Sequence, residues 1–196
     1  MIDAAVIAGK ALTQTIKPVE HTEDCPGVEW LTKEKAEFSA QGVNPDELEE
    51  GEAVCKHCGV KSEVRESDVN KNLVVDVAGA EYIAQYIAGQ NPGDFVYMKL
   101  GSTATVTAPT EGDTQLSNTV RTSPSLTPTI EATGGADKVV VWSNTFSSGT
   151  ESSIVSLAMD TTTANGTGAK ILNRVTFPAK DLANNDLAVT YKLTVS

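Results

Sequence analysis

Cationic side chains, histidines, aromatic rings and long apolar runs are all scarce in this chain of 196 residues. Lys and Arg number 15 against 26 Asp and Glu, a formal net charge of −11. An anionic phosphate backbone or membrane surface is repelled by such a surface, which argues against nucleic acid or a membrane as the main partner. No stretch approaches the roughly 18–20 consecutive apolar residues that a membrane span needs. Met1–Gly9 is a short apolar run interrupted by Asp3 and carries no targeting signal. Only two histidines are present, His21 and His57. A Ser-His-Asp or Cys-His apparatus therefore has no base in the C-terminal half. Gly-x-x-x-x-Gly-Lys-Ser/Thr and Gly-x-Gly-x-x-Gly phosphate loops are missing, as is a twelve-residue EF-hand loop. There is no internal repeat. The three cysteines are an odd number, which a disulfide framework would leave with an unpaired thiol.

What is present is distributed unevenly. Residues 1–100 hold 18 of the 26 acids, 9 of the 15 bases, all three cysteines and both histidines, whereas residues 101–196 hold 19 of the 23 threonines. The first half thus carries a formal charge of −9 and the second −2. Two differently composed halves predict two kinds of module. The expected division is an N-terminal arm or strand over 1–18, a zinc-binding module over 19–68, a helical linker over 69–93 and a β-sandwich over 94–196. The fold class is mainly β: a C-terminal antiparallel sandwich, jelly-roll- or Ig-like, with a small zinc-knuckle segment before it and one linking helix.

Periodicity supports this division. A short helix is predicted around Trp30–Ala40, capped by Thr32, and a longer one over Val74–Gly89, where Val77, Ala80, Ile83, Ala84 and Ile87 recur at helical spacing. Gly89 and Asn91-Pro92-Gly93 end the second helix. After Phe95 the period falls to two. Leu187, Val189, Tyr191, Leu193 and Val195 alternate with Ala188, Thr190, Lys192 and Thr194, which predicts a half-buried strand with a threonine-decorated outer face. Further strands are expected at Thr129–Thr133, Lys138–Phe146, Ile154–Met159 and Ile171–Phe177. They are separated by turn chemistry at 134–135, 147–149, 165–168 and 184–186. Trp142 and Tyr191 read as core aromatics.

The chemistry-bearing residues cluster in the acidic half. Cys55 and Cys58, followed by Gly59, form a Cys-x-x-Cys-Gly knuckle, in which two thiolates converge on one ion and the glycine supplies a positive φ after the second sulfur. His21 and Cys25, four apart, can supply the second pair. The expected site is a closed set of His21, Cys25, Cys55 and Cys58 around a structural Zn²⁺. His57 lies between the two knuckle ligands and is expected to point outward.

A thioredoxin-like redox pair is disfavoured, because Gly59–Val64 reads as a strand and not as the start of a helix. His21-Thr22-Glu23 with Cys55-Lys56-His57-Cys58 also satisfies the His-x-Glu and Cys-x-x-Cys pattern of zinc nucleobase deaminases. Against that reading, Val54 stands where proline is expected and Pro26-Gly27 would break the required helix. Cys25 also adds a fourth ligand where catalysis needs an open position. The carboxylate pairs Asp181/Asp186 and Glu111/Asp113 read as solvated loop acids.

Four segments of the C-terminal half resemble structural proteins of tailed bacteriophages and archaeal tailed viruses. They are Tyr97–Ala104 followed by Pro109–Leu116, Thr145–Glu151 followed by Val155-Ser156-Leu157, Ile171–Phe177, and Asp186–Tyr191. The glutamate and glycine of that pattern are missing around Ile154 and Ser156, and its acid near Asn118. The resemblance implies a non-enzymatic, homo-oligomeric virion component, assembled in the host cytoplasm, whose partners are other virion proteins. A receptor- or carbohydrate-binding spike module is the alternative it leaves open.

Overall fold

A computed structural model describes residues 7–38, 44–72, 77–90, 93–102, 116, 118–132, 138–163 and 171–195. The expected turns at 134–135 and 165–168, the Glu111/Asp113 pair and the motif residues 103–115 lie outside the described residues.

The chain is mainly β. Strands run over Ile7–Ile16 (β1), Trp30–Thr32 (β2), Glu52–Cys55 (β3), Lys61–Asn72 (β4), Tyr97–Gly101 (β5), Thr119–Thr122 (β6), Thr129–Ala132 (β7), Lys138–Phe146 (β8), Ile154–Asp160 (β9), Ile171–Lys180 (β10) and Asp186–Val195 (β11). Helices occupy Lys33–Phe38 (α1) and Val77–Ile87 (α2), and a 3₁₀ turn Pro45–Glu47. Every strand pairing is antiparallel. One sheet runs β2-β3-β4-β1-β11-β8-β7 and the other β10-β9-β5-β6.

The main core lies between the two sheets. Trp142, Phe146, Leu187, Val189, Tyr191 and Leu193 of the large sheet face Met98, Leu100, Leu157, Met159, Leu172, Val175 and Phe177 of the small one. Trp142 and Tyr191 form a tilted ring pair with centroids 5.8 Å apart, as their place on the alternating strands predicts. The four strands expected between Thr129 and Phe177 form as β7 to β10.

The N-terminal segment is a strand with two neighbours. Ala11 pairs with Tyr191 of β11 on one side and with Asn70 of β4 on the other, so β1 is interior to the large sheet. Four strands from the charged half, β1 to β4, thus extend the sheet that β11, β8 and β7 of the threonine-rich half begin. The charged half alters β11 as well. Alternation alone predicts that its second face meets solvent, yet Ala188 and Thr190 are buried. The reason is that the 19–38 segment folds over this face: Ala188 packs with Trp30 in a second apolar cluster, and Lys192 Nζ lies 5.1 Å from the Phe38 ring centroid. Strand β4 also ties the two sheets together, because the buried Lys180 of β10 bonds Glu66 and Asp68 of β4.

The first helix starts later than its pattern predicts, and residues 39–40 and 74–76, expected to close the first helix and open the second, lie outside the described residues. Trp30–Thr32 pairs with β3 as strand, so α1 begins only at Lys33; Thr32 Oγ1 still caps it, accepting from Lys35 N–H at 3.0 Å. In α2, Gly79 sits so close to the sheet that a Cβ would come within 2.4 Å of the Leu172 carbonyl. Ile83 packs on the core while Ile87 is exposed. Between α2 and the sheets opens an apolar cavity of about 640 Å³, lined by Ile83, Phe95, Val140, Trp142 and Leu193 among others.

Candidate metal centre

Three pieces of chain build one cluster of ligand atoms. The first is the knuckle between β3 and β4. Cys55 ends β3, its N–H bonding Val60 O and its carbonyl accepting from Gly59 N–H, both at 2.9 Å. Closing so tight a turn requires Gly59 at φ +71°, which only glycine adopts without strain. The second is the β1–β2 connection, where Cys25 N–H bonds Thr22 O at 2.9 Å and folds Cys25 back beside His21. The third is β2, whose Trp30 pairs with Cys55 and stacks on the His21 ring at 5.4 Å.

His21 Nδ1 lies 3.3 Å from Cys58 Sγ and 3.7 Å from Cys25 Sγ, and Cys25 Sγ lies 3.9 Å from Cys55 Sγ. All four ligand atoms fall within 4.8 Å of one another, so His21, Cys25, Cys55 and Cys58 form a group that could hold a metal ion. No disulfide joins the three thiols. His57 points away, with Nε2 3.9 Å from Glu29 Oε2.

The electrostatics are those of crowded anionic ligands. Backbone N–H bonding from Val60, then the His21 contact, draws the Cys58 thiol down to about 6. The Gly27 backbone favours the Cys25 thiolate, but burial and the neighbouring sulfurs outweigh it and push that thiol up. A cation at the centre removes this conflict, since every ligand then binds deprotonated. The cluster also has an apolar shell: Ile16, Trp30, Ala53 and Ala188 surround it, with Val19, Val28, Val60 and Val64 at the edges. Trp30 Nε1 reaches Asp186 Oδ2 at 3.4 Å and so anchors the shell to β11. His21 Nε2 is buried without a hydrogen-bond partner among the described residues.

The other candidate residues are used structurally. Asp186 is buried, not a solvated loop acid: besides Trp30, it accepts from Ser148 N–H at 2.9 Å. Asp181 stays on its turn, accepting from Asn184 Nδ2 and Ala183 N–H, which hold its carboxyl below the usual range. Residues 17–29 contain no helix, so His21 and Glu23 lie on an irregular loop. No periodic or motif signal marks Trp30 as the residue that, buried against His21 and bonded to Asp186, couples the cluster to the sandwich. Comparison with protein-family models, curated proteins and solved structures finds no match for this chain.

Proposed function

We propose that this protein is a non-enzymatic structural component of a virus particle, a β-sandwich clipped by one Zn²⁺, that acts by homo-oligomeric docking onto capsid, neck or tail subunits. The observation that carries the structural reading is the convergence of four protein ligand atoms within 4.8 Å. Tetrahedral Zn²⁺ with Zn–S of about 2.3 Å and Zn–N of about 2.0–2.1 Å places sulfurs about 3.8 Å apart and nitrogen about 3.5 Å from sulfur. Three of the six spacings, at 3.9 Å, 3.7 Å and 3.3 Å, lie within about 0.2 Å of these values, and all six stay within 4.8 Å. Three thiolates and an imidazole favour Zn²⁺ over hard cations such as Ca²⁺ and Mg²⁺.

Four protein ligands leave no coordination position for a substrate or an activated water, which supports a structural ion over a catalytic one. The irregular loop under His21 and Glu23 points the same way, since the deaminase reading needs both on a helix. The ion would join the β1–β2 loop to the β3–β4 hairpin, where a small apolar cluster holds them with little core of its own.

The virion assignment rests on the four segments of the C-terminal half that resemble tailed-virus structural proteins. Acidic charge suits an exterior position, because it avoids capture of packaged DNA. With −9 in residues 1–100, a docking surface there calls for a basic partner. The test is quantitative mass spectrometry of purified particles. Hundreds of copies would mean capsid decoration and about a dozen a neck or tail position, as closed symmetric arrays require. Absence from the particle would reject the assignment. Binding of the recombinant chain to host cells but not to emptied capsids would favour the receptor-binding alternative.

A further inference from the structure

Lys99 and Asp160 form an acid–amine pair, away from the metal cluster, that is buried more deeply than any other ion pair among the described residues. Both side chains are 1% exposed, and Nζ lies 2.9 Å from Oδ2. They sit on neighbouring strands of the small sheet, where Lys99 of β5 pairs with Ala158 and Tyr97 with Asp160 of β9. Ala158 and Ile171, strand partners of Lys99 and Asp160, pack with Leu116 in a small buried apolar cluster. Isolated charges are costly in such a place, and a well-bonded ion pair offsets that cost only when its hydrogen bonds are well aligned.

Between Lys99 and Asp160 the alignment is missing. Thr162 N–H bonds Oδ1 at 2.9 Å and fixes the carboxyl group, but Oδ2 has no hydrogen-bond partner, although Nζ is within contact distance. Because the carbon–oxygen bond adds about 1.2 Å, Nζ is at most about 4.1 Å from Cγ. That is close to the separation of about 3–3.5 Å from which intramolecular acyl transfer proceeds at very high effective molarity. Arg174 of β10 stands opposite Ala158 on the same row as Lys99, so a second basic residue lies two strands away on this face.

From this geometry we propose that Lys99 and Asp160 condense into an intramolecular isopeptide bond that covalently links β5 to β9. A proton passes from Nζ to Oδ2, giving a neutral amine and a carboxylic acid. The Nζ lone pair then attacks Cγ. As the tetrahedral intermediate collapses, the Cγ–Oδ2 bond breaks and Oδ2 leaves as water, taking the transferred proton and a second one from nitrogen. The product is a secondary amide with one N–H. One positive and one negative charge disappear together, and no oxidant, metal or further reactant takes part. Such a bond would stiffen the sandwich for the docking role proposed above, and it is independent of the zinc ligands.

The test is mass spectrometry of the full-length protein under denaturing conditions, fresh and after incubation at neutral pH. The expected result is an intact mass lower by one water, and a branched peptide in the digest joining the Lys99 segment to the Asp160 segment. K99R and D160A should both run at the full sequence mass. An unchanged wild-type mass with no branched peptide overturns the proposal, as does a loss of water that persists in both variants. The branched peptide is read from the wild type alone, so a variant that fails to fold does not blunt the test. Either result leaves the metal reading untouched.

Discussion

Gly9→Ala probes the claim that the N-terminal strand is locked into the sandwich. Gly9 pairs with Leu193 on β11 and Asn72 on β4. A Cβ there would stand 2.4 Å from Tyr191 Oη, 3.0 Å from Asn173 Nδ2 and 3.3 Å from Tyr191 Cζ. Tyr191 cannot swing away: it is 1% exposed, packed in the main core and stacked on Trp142. Overpacking of this kind costs about 1–3 kcal/mol. For a domain of this size each kcal/mol shifts Tm by about 2–4 °C, so Gly9→Ala should lower Tm by about 2–12 °C.

Tyr191→Phe supplies the control. The Tyr191 hydroxyl is buried without a hydrogen-bond partner among the described residues, and burial pushes its pKa up; removing it should be neutral or stabilising. The double variant should recover about half or more of the Gly9→Ala loss, because the nearest clash is with the hydroxyl itself. Chemical denaturation of the four proteins gives the coupling energy directly. A Gly9→Ala protein as stable as wild type, or a double variant whose losses simply add, would refute the packing of β1 against Tyr191.

Three further outcomes are expected. Cys58→Ser should abolish stoichiometric metal binding and lower Tm, read by metal analysis alongside thermal melting, because three ligands remain where four closed the site. Trp30→Phe removes the Asp186 bond and alters the His21 stack, so stability should fall by about 1–2 kcal/mol and metal release to a chelator should quicken. Glu151 has its carboxyl held below the usual glutamate range, first by its hydrogen bonds to Arg121. A depressed folded value means stability that is present at neutral pH and is lost as pH falls through that value. Arg121→Met should therefore cost about 0.5–1 kcal/mol at pH 7 and less near pH 3, measured as urea midpoints.

The strands of the C-terminal half were legible because period-two alternation and turn residues are local signals; β8, β9, β10 and β11 form where Val140, Leu157, Val175 and Tyr191 predict them. The ligand group was legible for the same reason, since a Cys-x-x-Cys-Gly turn dictates its own geometry at Gly59. Long-range pairing was not. Nothing in Ile7–Ile16 marks it as the strand between β4 and β11, because its partners lie far along the chain in either case. The buried threonine face of β11 was hidden for a related reason. Alternation marks two faces, and what covers the second, in this fold Trp30 and Phe38, depends on another segment. The condensing pair was equally silent, as Lys99 and Asp160 meet only through the β5–β9 register.

A closed metal clip is the central claim, and X-ray absorption on the metal in the full-length protein tests it most directly. A closed Cys₃His site requires one Zn²⁺ per chain, with three sulfurs at about 2.3 Å, one nitrogen at about 2.0–2.1 Å and no oxygen. A protein that carries no metal while all three thiols titrate freely would contradict it. So would a coordination shell that contains an exchangeable water.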